Sequence, residues 1–225
     1  MEFSATTIRR TTTDDVFDQL YDELVSLQLL PGTKLSEAEV AKRFGVSRQP
    51  VREAFSRLEG LDLLLIRPQR ATEVRGFSMD RINHARFVRL AIECEVLNRA
   101  CAVWDSEKAD ALQSRLDEQK EAIDSGKVDV FHTLDSEFHE SICDLSGHPQ
   151  AAENIAECKR ELDRLCFLSL GREDEVVTLY EDHLAIAAAL KEKQLDKVIK
   201  ATRLHLSRLD SEINKILKLN VEYFE

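Results

Sequence analysis

Apolar residues recur at helical spacing along most of this chain, and the places where that spacing breaks divide it into two parts. Val16, Leu20, Leu24 and Leu27 share one face between Asp14 and Leu29, with Asp14 and Asp15 near the positive end of the dipole. This predicts a first helix stopped by Pro31-Gly32, after a polar, Thr-rich arm over residues 1–13. Two short helices follow. Ser36 and Glu39 form a capping-box pattern ahead of Val40 and Phe44, and Gly45 ends that helix. Ser47 starts the next, with Pro50 in the first turn and Val51, Ala54, Phe55 and Leu58 on the buried side. Arg48, Gln49 and Arg52 are left pointing outward. Past Gly60, Leu63–Arg67 and Ala71–Arg75 read as two short strands joined by a Pro68-Gln69-Arg70 turn.

From Met79 to Leu219 no strand pattern occurs. Helical periodicity breaks at Trp104-Asp105-Ser106, Ser125-Gly126, Gly147-His148-Pro149, Gly171-Arg172 and Lys193-Gln194, which implies about six helices with short connections. The fold class expected is therefore mainly α: a winged helix-turn-helix domain over residues 1–77, then an antiparallel all-α bundle over 78–225.

In a helix-turn-helix the second helix enters the major groove and its N-terminal side chains reach base edges. Arg suits guanine and Gln suits adenine, so Ser47, Arg48, Gln49 and Arg52 are the candidate DNA contacts, with Arg70 at the wing turn beside phosphate or the minor groove. Two core-packing helices with a solvated basic face also fit the turn pattern; the hairpin that follows favours the winged helix. Charge sharpens the contrast. The net charge is -11, yet residues 42–75 hold 8 Lys and Arg against 4 Asp and Glu, so the positive excess sits on the proposed reading head.

Five cysteines, an odd number with no C-x-x-C pair, suggest neither a disulfide framework nor a thiolate zinc ribbon; buried free thiols are expected. No apolar run approaches the ~18 residues of a membrane span, and the N-terminus lacks a signal-peptide core, which points to a cytoplasmic protein with no membrane partner.

Asp135 and His139 lie four apart, one turn from each other on one helix face. His183 and His205 each lie 11 residues from Gln194, the expected turn of a helical hairpin, so both come to the same height, ~16 Å from the loop at 1.5 Å per residue. Three imidazoles and a carboxylate are sufficient for a divalent transition metal, with zinc first and nickel, manganese or iron as alternatives to it. Plain core histidines or an empty polar cavity are the other readings. His84, His132 and His148 fit no such pattern and belong on the surface or in loops.

The stretch PGTKLSEAEVAKRFGVSRQPVREAFSRLEGLDLLLIRPQRATEV resembles the DNA-binding domain of the GntR family of bacterial transcription regulators, over about residues 14–75. The resemblance implies that Arg48, Gln49 and Arg52 are recognition-helix contacts and Arg70 a wing-tip contact. Ala38 stands where some members have a DNA-contacting Arg, and Ala71 with Glu73 replaces the usual small-Gly wing pattern. The remainder is similar to the FadR-type branch with an FCD effector domain, whose metal-binding members carry Asp-x3-His and two later His; Asp135, His139, His183 and His205 match residue by residue. In FVRLAIE, Arg89, with Arg86 a turn earlier, resembles the family's R-x-x-L-E segment, with Ile92 in the Leu place. Arg160 and Arg164, beyond the Gly147 turn, are further candidates to fork an anion.

The resemblance implies a homodimer on pseudo-palindromic operator DNA, with a small carboxylate effector (sugar acid, hydroxy acid or dicarboxylate) bound at the metal. Gly76 and Phe77 lie in the connection expected to transmit the change. A fatty acyl-CoA fits poorly, since a polar His-Asp set would occupy the space of its chain. The rival readings are a metal-dependent hydrolase and a regulator with a purely structural metal. No H-E-x-x-H or G-x-S-x-G motif supports the hydrolase, and no catalytic residue is expected.

Overall fold

The computed structural model describes residues 10–166, 168 and 173–225. The chain divides into a unit running to Ser78 that also includes Glu222–Glu225, and a helical unit, Met79–Val221.

The first unit contains α1 (Thr12–Val25), β1 (Lys34–Leu35), α2 (Glu37–Phe44), α3 (Arg48–Gly60), β2 (Leu64–Leu65) and β3 (Thr72–Val74). Val16, Leu20 and Leu24 of α1 pack with Val40 of α2 and Val51, Ala54, Phe55 and Leu58 of α3, all of them buried. The expected apolar faces are thus the buried ones, although Phe44 is only half-buried and Ala41 takes part of its place. Three expectations need correction. The first helix begins inside the supposed loose arm, because Thr11 and Asp14 form a reciprocal capping box; residues 1–9 lie outside the described residues. It also ends at Val25 rather than at Pro31, since Leu27 takes a left-handed φ of 57° and turns the chain early. Ser36 and Ser47 do occupy the N-cap positions, yet neither side chain makes a cap hydrogen bond; Ser36 continues the extended backbone that leaves β1.

The wing has a third strand that the sequence pattern did not show. β3 pairs antiparallel with β2 on one side (Leu64 opposite Val74) and with β1 on the other (Lys34 opposite Glu73). β1 is two residues long, too short to display any alternation. Gln69, at φ 59°, makes the turn between β2 and β3.

The end of the chain rejoins this unit. Phe77 donates its N–H to the Tyr223 carbonyl at 2.8 Å and accepts from the Glu225 N–H at 2.9 Å, and its buried ring lies 5.5 Å from that of Phe224. Arg75 pairs with Asp62 and, at 3.0 Å, with Glu225.

The helical unit holds α4 (Met79–Val103), α5 (Ser106–Asp124), α6 (Val128–Leu145), α7 (Gln150–Cys166), α8 (Glu173–Lys191) and α9 (Leu195–Leu219), followed by a short 3-10 turn, Val221–Tyr223. Asp105 caps α5 through the Lys108 N–H at 2.9 Å, while Gly126, Gly147 and Lys193 supply the left-handed residues that end α5, α6 and α8. The break expected at Gly171-Arg172 lies outside the described residues. α5 packs on α6 and α8, α4 on α7 and α9, and α8 on α9. Val96, Leu97, Ala100, Trp104, Leu112, Leu116, Phe138, Ile142, Ile186 and Leu190 fill the core. Cys94, Cys101, Cys143 and Cys158 are free thiols, of which Cys101 and Cys143 are buried; the Cys166 side chain lies outside the described set. Among the described residues no helix is long and apolar enough to cross a membrane.

A Cβ on Gly76 would meet the Tyr223 carbonyl oxygen at 2.8 Å. Gly76→Ala is therefore expected to destabilise the first unit by about 1–3 kcal/mol. The check is urea unfolding followed by circular dichroism, with the fluorescence of Trp104, the single tryptophan and part of the bundle core, left unmoved.

Candidate metal centre and the reading helix

Four ligand atoms converge inside the bundle. α6 supplies Asp135 and His139, α8 supplies His183 and α9 supplies His205, and one ligand atom from each lies within 4.8 Å of the others. His205 Nε2 is 3.1 Å from His139 Nε2 and 3.4 Å from His183 Nε2; Asp135 Oδ1 is 3.4 Å from His183 Nε2 and 3.9 Å from His139 Nε2. All four residues are buried, His183 completely. The hairpin register read from Gln194 thus does bring His183 and His205 together. Phe138 holds the His183 ring by stacking at 4.2 Å between centroids.

The outer atoms of the ligands are also held. His139 Nδ1 faces Glu93 Oε2 at 2.8 Å, and Glu93 Oε1 accepts from Arg89 Nε at 2.6 Å. His183 Nδ1 faces Gln119 Oε1 at 2.8 Å, while the Gln119 amide donates to the Leu134 carbonyl at 3.0 Å, which fixes which end of the amide meets the ring. His205 Nδ1 has Asp182 Oδ2 at 3.8 Å, longer than a hydrogen bond; Asp182 in turn accepts two bonds from Arg208, at 2.9 and 3.0 Å. Asp135 Oδ2 accepts from Lys159 Nζ at 2.5 Å.

Acceptors facing Nδ1 of His139 and His183 place the protons on those atoms and turn the Nε2 lone pairs inward. Burial lowers the pKa of all three histidines and keeps them neutral. Burial opposes ionisation of Asp135 too, but the Lys159 ammonium beside it outweighs burial and holds the carboxyl well below its usual range. For Asp182 likewise, burial is outweighed by His205 and Arg208, which bring its pKa to about 2. The Nε2 lone pairs of His139 and His183 and the Asp135 oxygen are acceptors opposed to acceptors, with His205 Nε2 between them and its Nδ1 left without a hydrogen bond. A shared cation satisfies such a set, and three nitrogens with one oxygen suit a transition metal.

Of the arginines expected near the site, Arg89 is buried and reaches His139 through Glu93. Arg164 is fully buried on α7. Arg86 pairs with Asp210, and Arg160 lies 3.6 Å from Glu157 on its own helix. Sequence reasoning missed Glu93, Gln119, Lys159, Asp182 and Arg208. Weak signals existed for three of them: Glu93 is four residues beyond Arg89, Asp182 precedes His183, and Arg208 follows His205 by three. A hollow of about 390 Å³ lies elsewhere, lined by Lys127, Phe131 and Val176 among others.

In the first unit Ser47, Arg48, Gln49 and Arg52 are exposed at the start of α3, and Arg70 is exposed at the wing turn. Gln49 donates to Glu53 at 2.9 Å. Arg52 forks onto Glu37 with bonds of 3.1 and 2.9 Å, which lowers the Glu37 pKa and raises that of Arg52.

A winged helix-turn-helix joined to an all-helical unit is the arrangement of a DNA-binding regulator. Residues 12–74 match the bacterial regulatory proteins of the gntR family and residues 85–208 match the FCD domain, so this chain belongs to the GntR family and carries an FCD domain. It is 35% identical over 216 residues to the HTH-type transcriptional repressor RspR of Escherichia coli K12, covering 94% of this chain and 95% of that one. An HTH-type transcriptional regulator of Streptomyces ambofaciens is 31% identical over 221 residues, 98% of this chain and 92% of the other. Among solved structures, E. coli McbR/YncC shares the fold with a TM-score of 0.70 at 21% identity, over 94% of this chain and 99% of that one. A GntR regulator from Rhodococcus sp. RHA1 gives 0.71 at 22% identity, over 90% and 97%. The chain is thus a DNA-binding transcriptional regulator and not an enzyme, which removes the hydrolase reading.

Glu93→Ala removes the carboxylate bridging Arg89 and His139 and is expected to cost the bundle about 3–5 kcal/mol. Trp104 fluorescence in urea reads the loss, and Glu93→Gln should retain part of the stability.

Proposed function

We propose that this protein controls transcription as a cytoplasmic homodimer whose affinity for operator DNA is set by a small carboxylate held at a divalent metal, zinc foremost. The observation that carries this reading is the inward convergence of Asp135, His139, His183 and His205, each with its outer atom facing a second side chain. The division of labour falls between residues 1–77, which bind DNA, and 78–225, which bind the effector and the second subunit, apart from Glu222–Glu225, which pack with the first unit. When bound, the metal supplies a Lewis acid able to take a carboxylate oxygen in an open coordination position. The protein's own groups do the rest. Gln119 and Glu93 fix ring orientation, while Arg89, and with it Arg86, Arg160 and Arg164, are the cations proposed to receive the anion.

On DNA, Arg48, Gln49 and Arg52 read base edges, and Ser47 and Arg70 hold the backbone. Arg52 must exchange the Glu37 fork for a base, which keeps the side chain extended and charged before it meets DNA. A single recognition helix gives one half-site, so paired subunits on a two-fold site follow, and the effector must favour one placement of the two heads over the other.

Arg48→Ala and Arg52→Ala are each expected to weaken operator binding by about 1–3 kcal/mol and to relax base preference. Mobility-shift titrations across single-base operator variants measure both effects; wild-type binding would remove the assignment. His183→Ala and His205→Ala should lower metal content, read by elemental analysis, and leave DNA binding measurable. Full occupancy in both would eliminate the ligand set.

A further inference from the structure

We propose that Lys159 couples the two ligands of the bundle: its ammonium weakens the hold on a lone divalent cation and provides the contact that an entering carboxylate takes over. This rests on the reading of the His-Asp cluster as a metal site, and it deepens that reading by naming the residue that makes cation and anion binding cooperative.

Lys159 projects from α7 and is more than nine-tenths buried. Its Nζ sits 2.5 Å from Asp135 Oδ2, while Oδ1 of the same carboxylate faces the imidazoles. A cation among the imidazoles and the ammonium on the far oxygen would share one negative charge and repel one another across it. The neighbouring acids offer no relief. Among the described residues the buried carboxylates are Glu93, Asp135 and Asp182, and each already faces a cation: Arg89, Lys159 and Arg208 respectively. Arg164 is a further fully buried cation, so among the described residues the buried carboxylates do not outnumber the buried cations, and a divalent ion adds buried charge that a ligand from outside would offset.

A carboxylate entering beside the ion offsets it in two ways, by adding negative charge and by offering Lys159 a further acceptor. Lys suits this exchange, since a point charge on a flexible four-carbon stem can move between acceptors, which a planar Arg fork does less readily. Thermodynamic reciprocity then requires the cation to tighten anion binding by the same factor as the anion tightens cation binding.

The test is a zinc titration of the full-length chain against a chromophoric chelator, with and without acetate as the smallest carboxylate probe. Trp104 fluorescence confirms that each variant is folded. Wild type should bind zinc several-fold more tightly with acetate present. Lys159→Gln, which removes the charge and keeps a donor for Asp135, should bind zinc about tenfold more tightly than wild type without acetate and show a smaller acetate effect; Lys159→Arg should behave as wild type. Zinc affinity that is unchanged or weaker in Lys159→Gln, or an acetate effect as large as in wild type, overturns the role of Lys159 alone, provided that His183→Ala still lowers zinc binding. Absence of zinc binding in the wild type overturns the metal reading and this proposal together. Should Lys159→Gln not fold, the acetate dependence of the wild type decides, and its absence overturns the coupling.

Discussion

Acceptor atoms turned toward one another in a space closed to water are the constraint around which the helical unit is built. Ligand atoms of three imidazoles and one carboxylate converge on a common centre, and neighbouring side chains hold the rings of His139 and His183 and the Asp135 carboxyl from behind. Each helix of the bundle takes part: Glu93 from α4, Gln119 from α5, Asp135 and His139 from α6, Lys159 from α7, Asp182 and His183 from α8, and His205 and Arg208 from α9. Apolar packing of Leu112, Leu116, Phe138 and Leu190 brings the helices together, but the polar knot sets their rotation. Rotating any helix by one position would bury an uncompensated charge or strand an inward lone pair.

The DNA-binding unit follows a different electrostatic logic. Its cations are exposed and individually tethered by exposed or half-buried acids, as in Arg52 with Glu37, Arg43 with Glu23 and Arg57 with Asp14. Pairs of this kind contribute little to stability because water and salt screen them. They are correspondingly easy to give up. A negative surface offering better geometry, such as a nucleic-acid backbone or a base edge, can replace an acidic side chain at small cost, and a chain of net charge -11 can still present a basic face where it is needed.

How much of this could be read beforehand depended on whether the answer was local. The reading helix was legible because capping residue, Gly45 and the Val51, Ala54, Phe55, Leu58 face all lie within one short stretch. His183 and His205 were legible because a tight turn at Lys193-Gln194 turns register into arithmetic. The partners were not: Glu93, Gln119 and Lys159 come from three other helices, and linear spacing says nothing of how those are rotated. β1 was hidden because two residues carry no alternation. The capping box formed at Thr11 and Asp14 and not at Ser36 and Glu39, although both N-cap residues have extended backbone.

The clasp between Phe77 and the Tyr223–Glu225 segment has a consequence for biosynthesis. Most N-terminal domains complete their packing while the ribosome is still at work downstream. Here the first unit draws on Tyr223–Glu225, so it cannot complete its packing until the whole intervening helical unit has been synthesised. A bulky substitution within Tyr223–Glu225 would burden that same clasp and so be felt in the DNA-binding unit, far away along the sequence.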